Sequence, residues 1–123
     1  MTDSETLVQR FVHTWHEPDP QARRRAIAEI WAEDCVYRNA HAEFHGREGI
    51  EEAVSAAHEA YVMNDYVFNV AQVNTNHDAI RYVWKMVPAA GGEPASIGTH
   101  VVLVDADGRM VNDHQFIDVA PPS

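Results

Sequence analysis

Apolar and polar residues alternate along this chain with two different periods, and the change between them divides it in two. In residues 4–16, SETLVQRFVHTWH, the apolar side chains Leu7, Val8, Phe11, Val12 and Trp15 recur every three or four positions, which predicts an amphipathic helix. Asp3 or Ser4 can cap its start, and Glu17-Pro18-Asp19-Pro20 stops it. A second helix is expected over 20–32, with Asp19 as N-cap, Pro20 in the first turn and an apolar face of Ala22, Ala26, Ile27, Ile30 and Trp31. Arg23, Arg24 and Arg25 read as its solvated face. Residues 35–39, CVYRN, read as a short strand, and 40–46 as an irregular link. A third helix is expected over 47–63, striped by Ile50, Ala53, Val54, Ala57, Ala60 and Tyr61, with His58 beside the stripe.

From Tyr66 onward the period shortens to two. Residues 66–73 are rich in valine and aromatics, 74–78 read as a turn, and 79–87 alternate cleanly. In that last run Ile80, Tyr82, Trp84 and Met86 share one face, and Arg81, Val83 and Lys85 share the other. After a loop at 88–92, a long hairpin over 97–119 turns at Asp105-Ala106-Asp107-Gly108. Helices first and strands last predict an α+β fold. We expect three N-terminal helices packed on a curved, mostly antiparallel sheet, forming a cone with an interior pocket, in one domain spanning 1–123.

Composition narrows the function classes. With a formal net charge of −10 the chain would be repelled by a phosphate backbone, so no nucleic-acid partner is expected. No apolar run approaches the roughly 20 residues that span a bilayer, and the first residues lack a signal-peptide pattern. No membrane partner is expected, and the cytoplasm is the expected location. The single cysteine, Cys35, lies among apolar neighbours and reads as a buried structural thiol. The eight histidines form no metal-binding spacing, so no metal and no cofactor are expected.

Candidate chemistry is concentrated in the closing hairpin. His100, Asp113, His114 and Gln115 interrupt otherwise apolar strands, where polar groups need partners or a task. Asp113 and Gln115 lie two apart, on one strand face. The turn leaves two registers open. Pairing Val104 with Arg109 sets His100 opposite Asp113; pairing Asp105 with Arg109 sets His100 opposite His114, on the other face.

Several stretches together resemble a known family. IWAEDCVYRNAHAEFHGREGI, AIRYVWKMVPAAGG, IGTHVVLV and DGRMVNDHQFID carry Trp31 and Asp34, the Gly46-Arg47-Glu48 start of a helix, Arg81 with Trp84, and Gly98-Thr99 ahead of an Asp107-Gly108-Arg109 turn. In these the chain resembles the SnoaL-like branch of the nuclear-transport-factor-2-like superfamily. That superfamily includes isomerases, dehydratases, epoxide hydrolases, polyketide cyclases and non-catalytic binders built on an apolar cone with a few acid–base groups. The resemblance implies site residues by position. Where ketosteroid isomerases keep a proton-shuttling Asp before Pro, this chain has Asn39-Ala40, and where they keep a protonated Asp it has His100. Tyr37-Arg38-Asn39 is similar to the Tyr-x-Asn that holds water in limonene-epoxide hydrolases, but Gln115 stands where those enzymes and SnoaL-type cyclases keep an acid. The isomerase-like position of His100 favours the first register.

These residues lead to a first reading: a cofactor-free enzyme acting on an apolar, oxygenated small molecule by isomerisation, cyclisation, dehydration or hydration. Asp113 and His100 would be its catalytic acid–base pair. Tyr37, Asn39 and Gln115 would orient substrate or water, and Trp15, Tyr61, Tyr82 and Trp84 would form the wall. A non-catalytic binder of the same fold and a purely structural domain with a filled cone are the alternatives. In the structural reading His100 and Asp113 simply satisfy one another. Val83 and Phe116, on the outer sheet face, predict a homodimer through that face.

Overall fold

The computed structural model describes residues 3–122. Helix α1, Ser4–His16, starts where the Asp3 carboxylate accepts the Thr6 backbone N–H at 3.1 Å. Helix α2, Pro20–Ile30, starts in the same way, with Asp19 accepting the Gln21 N–H at 3.0 Å. Strand β1, Trp31–Arg38, and the short β2, Glu43–His45, precede helix α3, Gly46–Ala60. One turn of 3₁₀-helix, Val62–Asn64, leads into β3, Tyr66–Asn76, β4, Ala79–Pro88, β5, Ser96–Val104, and β6, Met110–Val119. The six strands form one sheet in the order β2-β1-β6-β5-β4-β3. Every neighbouring pair is antiparallel except β1 with β6.

The expected α+β arrangement is present, with corrections at the boundaries. Trp31 does not end the second helix; it opens β1, fully buried and paired with Met110. Its spacing from Ile27 fits a helical stripe equally well, so the pattern could not separate the two. The link after β1 contains β2 because Asn39 builds the intervening turn. Its Oδ1 accepts the backbone N–H of His41 at 2.9 Å and of Ala42 at 3.0 Å, folding Glu43–His45 back onto β1. The third helix ends at Ala60, and a separate 3₁₀ turn follows it. Strand β3 runs on through Asn76, so the turn is only His77-Asp78, with His77 at φ 53°. Its last residues are polar because they are exposed to solvent.

The core lies between the helices and the inner sheet face, around Val8, Ile27, Ile30, Trp31, Ile80, Val102 and Met110. Arg23 is not solvated as its run of arginines suggested. It is 7% exposed, and its guanidinium donates from Nη1 to Ser55 Oγ at 2.8 Å, tying α2 to α3. Cys35 is buried as expected, and burial pushes its thiol pKa up. Register shifts in β3, between Val70 and Gln72, and at both ends of the β5–β6 pair interrupt the ladders; such bulges bend strands and give a sheet its curvature. Among the described residues no helix is long and apolar enough to cross a membrane.

Candidate active site

The β5–β6 hairpin follows neither register in full. Asp105 donates its N–H to the Arg109 carbonyl at 2.9 Å, as in the shorter turn. The Asp105 carboxylate accepts from the backbone N–H of Asp107 at 2.9 Å and of Arg109 at 3.0 Å, and Gly108 takes φ 80°. Val104 then pairs with Met110 and Leu103 with Asn112, so Val111 bulges out of the ladder. That one extra residue reverses the face of everything beyond it. His100 therefore sits opposite Gln115 rather than opposite Asp113, and Asp113 sits opposite Val102. All four occupy the inner face, and His100 reaches Asp113 diagonally.

His100 is 2% exposed and Asp113 is 0% exposed. The imidazole Nδ1 lies 2.8 Å from Asp113 Oδ2 and 3.0 Å from Oδ1. An ionised carboxylate only accepts, so Nδ1 carries the hydrogen and donates it. In neutral imidazole the other nitrogen, Nε2, is then a bare lone pair, and it has no partner among the described residues. The ring is clamped. Tyr82, directly across on β4, stacks on it at 4.5 Å and 9°. Tyr37, from β1 on the far side of β6, lies nearly parallel at 6.1 Å.

Beside this pair is a cavity of about 680 Å³ between α3, the end of α1 and the inner sheet face. Ala53, Ala56, Ala57 and Ala60 present the α3 side, and Phe11, Phe44, Phe68, Met86 and Ile117 supply further apolar wall. Among the described residues no Lys, Arg, Asp or Glu lines it. Of the residues expected at the site, Trp15, Tyr37, Asn39, Tyr61, Trp84, His100 and Gln115 line this cavity. Two do not. Tyr82 is fully buried beneath His100 and is a backing for the imidazole rather than part of the wall. Asp113 is also outside the wall, so His100 is the member of the pair that meets the cavity.

The remaining polar groups are held in defined states. Asn39 donates from Nδ2 to the Tyr37 hydroxyl at 3.4 Å, leaving the Tyr37 O–H free to donate. Burial pushes the Tyr37 pKa well up, and burial does the same to Tyr82, so both stay protonated phenols. Among the described residues no cluster of His, Cys, Asp or Glu could hold a metal ion. His58, beside the α3 stripe, is buried, with Nδ1 at 2.9 Å from the Trp15 carbonyl. His41 is exposed and lines the cavity.

The alanines of α3 had a sequence signal that went unread as room: four small residues on the face that meets the sheet leave space instead of filling it. Phe11, Phe44 and Phe68 gave no such signal, since an aromatic facing a void and one facing another side chain occupy the same periodic position.

No curated protein matches the chain significantly. Solved structures do. A SnoaL-like family protein from Agrobacterium tumefaciens, proposed to be an isomerase, is 28% identical over 96% of this chain and 99% of its own, with a TM-score of 0.85. A proposed polyketide cyclase from Sinorhizobium meliloti is 22% identical over 86% of this chain and 93% of its own, with a TM-score of 0.64. A proposed ketosteroid isomerase from Kribbella flavida is 18% identical over 95% and 80%, with a TM-score of 0.67. The last two share the fold. The profile of the SnoaL-like domain matches residues 8–112, nearly the whole length described here, and the chain belongs to that family.

Proposed function

We infer that the protein is an acid–base catalyst for a neutral, apolar, oxygenated small molecule, with His100 as the proton-transferring group and Asp113 as its orienting partner. The observation that carries this reading is the buried imidazole whose Nδ1 is held by a carboxylate while, among the described residues, Nε2 has no partner and no Lys, Arg, Asp or Glu lines the adjoining cavity. Such a pair can take a proton from carbon or oxygen and return it elsewhere, which serves isomerisation, cyclisation, dehydration or hydration, and it needs no cofactor to do so. Tyr37, with its free O–H, and Gln115, both in the cavity lining, would orient a substrate oxygen. The resemblance to the proposed isomerase from Agrobacterium tumefaciens is consistent with this class of reaction.

The direct test uses a small β,γ-unsaturated cyclic ketone and follows its conversion to the conjugated isomer by ultraviolet absorbance. Asp113→Asn and His100→Gln are each expected to lower kcat by about 10²–10⁴-fold, the usual worth of a positioned acid–base group, while binding of the ketone survives. A rate that Asp113→Asn leaves unchanged excludes the pair as the catalyst. Gln115 favours one second reading, a binding protein without chemistry, because an amide stands where related enzymes keep an acid. Ketone binding with no turnover at any pH selects that reading.

A second copy of the chain is the proposed partner. The sheet face turned away from the helices exposes Val101 and Leu103 on β5 and Phe116 on β6. Arg38, Arg81 and Lys85 share that face, and its carboxylates Glu43 and Asp118 are engaged by Arg38 and Thr99. In a chain of net charge −10 this is where two copies meet with least repulsion.

A further inference from the structure

Five buried side-chain atoms lack a hydrogen-bond partner among the described residues: Arg23 Nε, Trp31 Nε1, Tyr82 Oη, Trp84 Nε1 and His100 Nε2. Of the residues that own them, only Trp84 and His100 line the cavity, and they are 5% and 2% exposed. An unsatisfied polar atom in an apolar wall costs about 1–3 kcal/mol until something pairs with it. The two atoms are complementary in kind. An indole N–H donates and cannot accept. Neutral His100, with Nδ1–H given to Asp113, accepts at Nε2 and cannot donate there.

Their spacing follows from the sheet. Trp84 on β4 pairs with Gly98 on β5, and His100 is two residues further along β5 on the same face. The Trp84 indole packs against Gly98, a position open only because there is no Cβ, and its Nε1 is 2.9 Å from where that Cβ would stand. Two neighbouring residues of an otherwise largely apolar lining therefore each hold one unpaired buried polar atom, one a donor and one an acceptor.

We propose that the Trp84 indole N–H is a ligand-binding group that acts with His100 Nε2 to select neutral molecules presenting an acceptor oxygen to the indole and a hydrogen to the imidazole. Hydroxy-ketones, and ketones with an acidic C–H, fit this pattern. Carboxylates, phosphates and amines do not, since among the described residues no Lys, Arg, Asp or Glu lines the cavity to receive them. The Tyr37 hydroxyl is a second donor on the lining: it accepts from Asn39 and keeps its own O–H free.

This proposal rests on the cavity being a ligand site and is independent of turnover. Calorimetric titration with an acetylnaphthol, the matching naphthol without the acetyl group, and the matching acetonaphthone without the hydroxyl tests it. The acetylnaphthol is expected to bind about tenfold more tightly than the naphthol, the equivalent of one hydrogen bond in a dry site. Trp84→Phe should remove that preference, whereas Tyr37→Phe, which removes the donor assigned above to a substrate oxygen, should lower affinity for the acetylnaphthol and the naphthol alike and leave their ratio in place. A preference that survives Trp84→Phe, or one lost only in Tyr37→Phe, overturns the proposal.

A second measurement needs no variant. In the wild-type protein the assigned Trp84 indole N–H resonance should move downfield with the acetonaphthone and not with an ethylnaphthalene of the same shape. Equal movement with both overturns the proposal. Binding of all probes without preference removes this inference alone; binding of none removes the ligand-site reading as well.

Discussion

At the scale of single residues, the site depends on one carboxylate that never touches the cavity. Asp113 is fully buried, and among the described residues the His100 imidazole is its only hydrogen-bonding side-chain partner. Asp113→Ala should lower unfolding free energy by about 1–3 kcal/mol, measured by urea titration, because it strands the buried Nδ1–H. The double variant His100→Leu with Asp113→Leu should recover most of that loss, since an apolar pair of similar volume replaces a costly buried ion. A double variant no more stable than the single one would show that the pair is held by more than its own bond. His100 and Asp113 were legible in the sequence because ionisable side chains on apolar strands are conspicuous. Tyr82 was misplaced because alternation assigns it a face, and both the cavity wall and the layer behind the imidazole lie on that face.

At the scale of elements, two side chains decide how strands and helices meet. His16 donates from Nδ1 to the Val12 carbonyl at 3.1 Å and accepts the Phe68 N–H at Nε2, at 2.9 Å, joining α1 to the edge strand β3. Only neutral imidazole can do both, and burial, the largest cause, lowers its pKa below the ordinary 6.5. Unfolded His16 therefore binds a proton that folded His16 refuses. Its contribution is complete above about pH 6.5 and is lost as the pH falls toward the lower folded value. His16→Gln should flatten that part of the curve of Tm against pH; an unchanged slope would exclude His16 as its source. At Gly98 a methyl group would fall inside the Trp84 indole. Gly98→Ala is expected to cost about 1–3 kcal/mol by overpacking, read as a lowered urea midpoint, and to alter the near-ultraviolet circular dichroism of the tryptophans. The helices and the long strands were legible from their periods. The Val111 bulge was not, because a bulge changes which face a residue takes without changing residue types.

At the scale of the whole molecule, the order of elements was enough to predict a cone, since three amphipathic helices must cover one face of a long twisted sheet. Its emptiness was not predictable in detail. The 680 Å³ cavity is the difference between two larger volumes, and period and composition give neither of them to that precision. The opposite face of the sheet carries the proposed dimer. Sedimentation velocity should show a dimer for the wild type and a monomer for the double variant Val101→Glu with Phe116→Glu, with folding intact by circular dichroism. A wild-type monomer at tens of micromolar, a range where standard interfaces hold, would exclude it.

The clamp around His100 also has a stereochemical consequence. With Tyr82 stacked on the ring and Nδ1 fixed by Asp113, the imidazole cannot turn over between taking a proton and giving it back. Removal and return would use the same nitrogen on the same side of the substrate, shielded from exchange with water. A deuterium at the carbon that loses its hydrogen should therefore reappear at the carbon that gains one, within the same molecule and on the same face.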